Sequence, residues 1–165
     1  MLVVKKFGGS SVANKERIYN VANRCIEDYK AGHDVVVVLS AMGKTTNELI
    51  AKAKDINPKP PKRELDMLVT VGEQISVSLM CMAMAELGVP AVSLNAFQVA
   101  MHTTSDYTNA RLTSNDVLQA PFADQFDGGP EGAEFLQMRH VDAVVIRIAL
   151  ESSPIEGLKR LVFWP

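Results

Sequence analysis

Apolar positions along this chain fall into short continuous runs that alternate with a three-to-four-residue recurrence, the marks of strand and helix. Leu2 to Phe7 is a short apolar run broken by Lys5 and Lys6 and punctuated by Gly8-Gly9-Ser10-Ser11. Ile18, Val21, Ala22, Cys25, Ile26 and Tyr29 then share one helical stripe. Ser11 stands where an N-cap is expected and Gly32 where a helix-ending glycine belongs. Asp34 to Leu39 is a continuous β-branched run, which predicts a strand buried on both faces of a helix-covered parallel sheet.

A second unit repeats this grammar. Thr45-Thr46-Asn47-Glu48 has the spacing of a capping box and leads into Leu49, Ile50 and Ala53. A proline-rich surface loop, Asn57 to Lys62, follows. Arg63 to Leu87 then reads as one long helix, with Leu68, Val71, Ile75, Leu79, Met82 and Ala83 on its inner side. Gly88 ends it, Pro90 bars continuation, and Ala91 to Leu94 reads as a third strand. The β-α-β-α-α-β order predicts an α/β fold: a three-layer α-β-α sandwich with a largely parallel sheet and right-handed crossovers.

Beyond about Thr113 the grammar deteriorates. Asp116 to Phe126 is interrupted by Pro121, and Asp127 to Gly132 is a glycine-rich loop. Val141 to Leu150 is one more apolar run, predicted as a strand in which Arg147 would need a partner, and Pro154 to Phe163 suits a terminal helix. Two segments are therefore expected: residues 1–113, and a divergent segment 114–165 that completes the sheet edge.

Composition narrows the function classes. The apolar share of 47% and charged share of 22% are ordinary for a globular domain of 165 residues. A net charge of -2 with scattered basic residues offers no footprint for nucleic acid or an anionic membrane. The N-terminus lacks a signal-peptide core. No apolar stretch is expected to reach membrane-span length, Leu79 to Ala85 ending at Glu86. Cys25 and Cys81 sit in helical patterns and read as buried free thiols, which suits a cytoplasmic protein. His33 reads as solvated, Tyr107 as an exposed loop aromatic, and Met80, Met82 and Met84 as helix core. His102 and His140 have no metal-ligand spacing, so no metal site is expected.

The sharpest chemistry lies at Lys6-Phe7-Gly8-Gly9-Ser10-Ser11. A strand delivers a lysine, two glycines let backbone amides approach an anion, and hydroxyls open a helix whose N-terminus favours negative charge. The lysine would offset charge on a transferring phosphoryl group. This is not a Walker A motif, and a plain strand-turn-helix junction has the same glycines. The second strand ends in Ser40-Ala41-Met42-Gly43 and again precedes a hydroxyl-rich helix start. Two such turns fall at the edge where α/β sheets bind ligands.

These segments, Lys-Phe-Gly-Gly-Ser-Ser-Val at 6–12 and Ser-Ala-Met-Gly-Lys-Thr-Thr-Asn at 40–47, resemble the opening motifs of aspartate kinases in the amino acid kinase (carbamate kinase-like) family. Arg63 to Leu68, Val71-Gly72-Glu73-Gln74, Gln98 and Thr103 to Leu112 extend the likeness, which covers about residues 2–113. The resemblance implies an ATP-dependent kinase that converts L-aspartate to 4-phospho-L-aspartate for lysine, threonine and methionine synthesis. Magnesium would be carried by the nucleotide, and the resemblance leaves room for a homo-oligomer.

Roles for single residues follow from the same resemblance. Lys6 would be catalytic and contact the ATP phosphates, with Gly8, Gly9 and Ser10 lining the phosphate loop and Ser40 near the phosphates. Thr46 would lie beside the substrate aspartate. Glu73 would face its α-amino group, a carboxylate being the natural partner of an ammonium; without the resemblance it reads as a solvated helix carboxylate.

Aspartate kinases continue with a Gly-Arg-Gly-Gly-Ser-Asp-type segment and a nucleotide-binding segment, and neither is recognisable after residue 113. Gly128-Gly129 lacks the arginine and the following Ser-Asp. The expected fold is thus an incomplete version of the family's, with weak or absent activity. Two alternatives stand beside it: a non-catalytic fragment that binds nucleotide or phosphate or pairs with another chain, and an amino acid kinase acting on a different carboxylate.

Overall fold

The first two strand runs pair with each other. In the computed structural model, which describes residues 1–95, 102–114 and 144–148, β1 (Leu2–Phe7) and β2 (Asp34–Leu39) lie side by side and parallel. Leu2 stands opposite Asp34 and Phe7 opposite Leu39. The crossover between them is α1 (Lys15–Lys30), whose Ile18, Val21, Ala22, Cys25 and Ile26 are buried as the stripe predicts. Val35, Val37 and Leu39 join that stripe in the core, and Val36 and Val38 on the other face of β2 are buried too. A strand interior on both faces explains why the run carries no polar alternation.

The start of α1 differs from expectation. Ser11 is not its N-cap: Gly9–Val12 forms a single 3-10 turn, closed by the Ser11 N–H donating to the Gly8 carbonyl at 2.9 Å. Asn14 is the cap, its Oδ1 accepting the Arg17 N–H at 3.0 Å. The extra turn carries Val12 into full burial before the helix begins. At the other end Gly32 adopts φ +85°, the left-handed conformation expected of a helix-ending glycine.

Helix α2 (Thr45–Ile56) also lacks its expected capping box. Lys44 occupies the cap position without a side-chain bond, and the Thr45 N–H is taken by the Met42 carbonyl at 2.9 Å. Gly43, at φ +53°, makes that tight turn possible. The proline loop ends at Pro61, and α3 (Lys62–Glu86) runs on to Leu87-Gly88, with Gly88 at φ +75°.

Helix α3 buries a different side from the one predicted. Gly72, Glu73, Ser76, Val77, Met80, Ala83 and Met84 face inward, whereas Val71, Ile75 and Leu79 are exposed and Leu68 is half-buried. Of the three clustered methionines, Met80 and Met84 are 0% exposed and Met82 is 66% exposed. Successive positions two apart on a helix point to different sides, so the three cannot share one face. At 25 residues α3 is also long and apolar enough to cross a membrane by length and composition, correcting the expectation that no stretch reaches that length. Its inner side is instead packed on α1 and β2, and it carries the buried polar residues Glu73 and Ser76.

Strand β3 (Val92–Leu94) follows α3. The apolar run expected within 141–150 supplies a strand over Val144–Ile148. Numbering the remaining strands in chain order, β4 (His102–Thr103) and β5 (Leu112–Ser114) form a small antiparallel hairpin, and Val144–Ile148 is β6. Among the described residues the main sheet has the order β1-β2-β6-β3, with β6 antiparallel to both neighbours. β1, β2 and β3 therefore run in one direction and end at the same sheet edge. Gln98, the Asp127–Gly132 loop and the Pro154–Phe163 helix expectation lie outside the described residues.

Candidate functional site

Parallel pairing brings the turns after β1 and β2 out at one edge, and hydrogen bonds lock them together. The Ser40 N–H donates to the Phe7 carbonyl at 3.2 Å, and the Gly43 N–H donates to the Gly9 carbonyl at 2.9 Å. The two glycines after β1 are glycine for different reasons. A Cβ on Gly9 would meet the Ala41 carbonyl oxygen at 2.4 Å, a backbone collision, whereas a Cβ on Gly8 would meet nothing within 4 Å. Gly9 is required by the contact between the loops; Gly8 leaves open space beside the turn.

Strand alternation separates the adjacent lysines. Lys5, paired with Val37, points toward α1, where its Nζ donates to the Arg24 carbonyl at 3.0 Å and forms an ion pair with Asp28. Lys6, paired with Val38, points to the opposite face, is exposed, and makes no ion pair or side-chain hydrogen bond among the described residues. A cation at a strand end beside an open glycine turn is available to an anionic ligand.

Helix α3 reaches the same edge from above. Gly72 packs so tightly on the second turn that a Cβ there would lie 2.8 Å from Ala41 Cβ and 3.5 Å from Thr45 Cγ2. The next residue, Glu73, is 3% exposed and accepts the Ala41 N–H on Oε1 at 3.0 Å. Its reading as a solvated helix carboxylate is thereby overturned. Thr46, half-buried, sits in the first turn of α2 beside Thr45. Lys6, the Gly8-Gly9-Ser10 turn, Ser40, Thr46 and Glu73 are thus gathered at one end of the sheet. Ser10 is exposed, and its carbonyl accepts from the Arg17 guanidinium.

Sequence reasoning missed the residues that hold this edge together. Ala41 touches both loops and α3, and Gly72 sets the distance between helix and turn. A lone glycine inside a 25-residue helix was the available signal for close packing. Asp66, just over one turn into α3, accepts the Thr108 N–H on Oδ2 at 2.6 Å. Thr108 lies in the turn of the β4–β5 hairpin with φ +66°, a conformation β-branched residues rarely adopt.

The other polar groups singled out from the sequence are not among these residues. His33 is not solvated but half-buried, with Nδ1 enclosed and without a hydrogen-bond partner among the described residues. Burial pushes the Cys25 thiol up to about 11, and burial does the same to the half-buried Cys81, also to about 11. Both are unreactive thiols at neutral pH. Tyr107 is exposed on the hairpin, as expected. Among the described residues no three His, Cys, Asp or Glu side chains are gathered to hold a metal ion.

Residues 1–137 match the amino acid kinase family. The aspartokinase of Bacillus sp. (strain MGA3) is 56% identical over 111 residues, covering 67% of this chain and 27% of that protein. Aspartokinase 2 of Bacillus subtilis (strain 168) is 48% identical over 128 residues, covering 78% of this chain and 31% of that protein. The chain therefore spans less than a third of the length of these relatives. Among solved structures, the aspartate kinase from Synechocystis superposes with a TM-score of 0.56 at 47% identity, over 58% of this chain and 17% of that one. E. coli aspartokinase III, solved in complex with aspartate and ADP, gives a TM-score of 0.61 over 81% of this chain and 39% of that one. At 23% identity the latter likeness is one of fold.

Proposed function

The chain belongs to the amino acid kinase family, and from that premise we propose that it carries the phosphate-binding and amine-binding part of an aspartate kinase site. The reaction is ATP + L-aspartate to ADP + 4-phospho-L-aspartate, an entry to lysine, threonine and methionine synthesis, and its setting is the cytoplasm. One observation carries the reading: a free lysine, an open glycine turn and a buried glutamate meet at one sheet edge through mutually bonded loops.

In this reading the β-carboxylate oxygen of aspartate attacks the γ-phosphorus as the bond to the β-γ bridging oxygen breaks, and ADP leaves with that electron pair. Little covalent chemistry falls to the protein, so position and charge dominate. Lys6 neutralises charge on the phosphates, and magnesium arrives as part of the nucleotide. The amides around Gly8, Gly9 and Ser10 line the phosphates because the first of these positions is unobstructed, and Ser40 lies beside them on the bonded neighbouring turn. Glu73, held in place by the Ala41 bond, receives the α-ammonium, with Thr46 beside the amino acid. Support for aspartate over another carboxylate comes from the relatives, which are aspartokinases at about half identity.

A coupled ADP-release assay tests this. Weak aspartate-dependent turnover is expected, abolished by Lys6→Ala and absent with glutamate. Turnover with glutamate would move the substrate assignment to another carboxylate. Nucleotide binding without any turnover, unaffected by Lys6→Ala, would overturn the catalytic reading in favour of a binding fragment.

A further inference from the structure

Resting on the aspartate-kinase reading above, we infer that Asp66 is a positioning residue and that the β4–β5 hairpin it holds is a wall of the amino-acid pocket beside Glu73. Asp66 and Glu73 are seven positions apart on α3, so they share a helix face and are separated by about 10 Å along its axis. The Asp66 carboxylate accepts the Thr108 N–H at 2.6 Å, which fastens the hairpin turn to that face. β3 runs in the direction of β1 and β2, so it ends at the same edge as the two loops.

The hairpin is itself a bonded unit. The Thr104 N–H donates to the Arg111 carbonyl at 2.8 Å, the Arg111 N–H returns to Thr104 Oγ1 at 3.1 Å, and the Asn109 N–H donates to the Asp106 carbonyl at 3.1 Å. Its one strained residue is Thr108, whose φ of +66° disfavours a β-branched side chain. Such conformations persist where surrounding contacts over-determine them. Here the contact is a charge-assisted hydrogen bond to a carboxylate, among the stronger kinds. The strained turn and the carboxylate that fastens it thus belong to one arrangement, placed two helical turns from the residue proposed to take the substrate ammonium.

The role separates amino-acid binding from nucleotide binding. In Asp66→Ala the aspartate KM should rise about five- to ten-fold, with the ATP KM unchanged, because one wall of a single pocket is displaced. Asp66→Asn, whose side-chain oxygen can still accept the Thr108 N–H, should restore most of the loss. In the wild-type chain L-aspartate should slow hydrogen exchange at the Thr108 amide, and ATP alone should not. An aspartate response in the wild type with no change in KM for Asp66→Ala, or with Thr108 exchange indifferent to L-aspartate, overturns the inference alone. No response of the wild-type chain to L-aspartate by turnover or exchange overturns the functional reading, and this inference with it.

Discussion

Glu73 on α3 accepts the backbone N–H of Ala41 at 3.0 Å, joining positions 32 apart in the chain at a site from which solvent is excluded. This bond satisfies an amide in the turn after β2 with a buried carboxylate, the one that the proposed function assigns to the substrate ammonium. Removing the carboxylate should therefore separate into two effects. Glu73→Gln keeps an acceptor for Ala41 and should fold normally while losing aspartate-dependent turnover by about two orders of magnitude, as expected for loss of a charged partner. Glu73→Ala leaves the Ala41 N–H buried and unpaired and should cost a further 1–3 kcal/mol or so of stability. Thermal melts and turnover assays on the pair distinguish the two.

The glycine pair after β1 offers a second separation. Gly9→Ala drives a Cβ to 2.4 Å from the Ala41 carbonyl and should destabilise by about 1–3 kcal/mol, because two bonded backbones must move apart. Gly8→Ala meets no atom and keeps an extended backbone, φ -75°, that any residue adopts. It should melt like the wild type and lower ATP-dependent activity alone. Urea titration beside an ATP KM measurement checks both arms.

Neighbouring lysines should behave oppositely. Lys6→Met is expected to leave stability within about 0.5 kcal/mol, the norm for a surface side chain, and to abolish turnover. Lys5→Met loses a partly exposed ion pair with Asp28, worth roughly 0.2–1 kcal/mol, and should retain turnover. Similar stability loss with full activity in both would remove Lys6 from the site.

The two faces of α3 predict a contrast in packing. Met80→Ala should cost about 2–5 kcal/mol through lost burial and a residual cavity. Met82→Ala, at a position 66% exposed, should fall within about 0.5 kcal/mol of wild type. Chemical denaturation midpoints at constant m-value decide this.

Stability should also fall at high pH. For Cys25 the folded thiol titrates at about 11 against an ordinary 9.0, because burial disfavours the thiolate. A group whose folded value is raised holds its full contribution below the unfolded value and loses it as pH climbs toward the folded one. The loss therefore runs from about pH 9 to about pH 11, with a slope of at most about 1.4 kcal/mol per pH unit for each thiol. Cys25→Ala should flatten that segment of the melting-temperature profile relative to wild type. A profile of unchanged slope would mean that the thiol titrates alike in both states.

Much of this architecture was legible because its signals are local. The unbroken Asp34–Leu39 run, the 18-21-22-25-26 stripe and the glycines at 32 and 88 specify strand, helix and stop within a few residues of each other. The glycine-hydroxyl turns after both strands were visible for the same reason. The cap of α1 was not: Ser11 is the residue expected there, and Asn14 takes the position. Burial of Val12 chose between them by inserting a 3-10 turn first.

The sequence by itself determined the alternation of strands and helices and the candidate residues at their ends, because period and turn residue are properties of neighbours. Tertiary structure decided which side of α3 is inside. That helix carries apolar residues on both sides, so periodicity alone cannot rank them, and the close seat of Gly72 on Ala41 settles its rotation. The same rotation buries Glu73 and aims Asp66 at Thr108. Those partners lie dozens of residues away, and only packing brings them within hydrogen-bond reach.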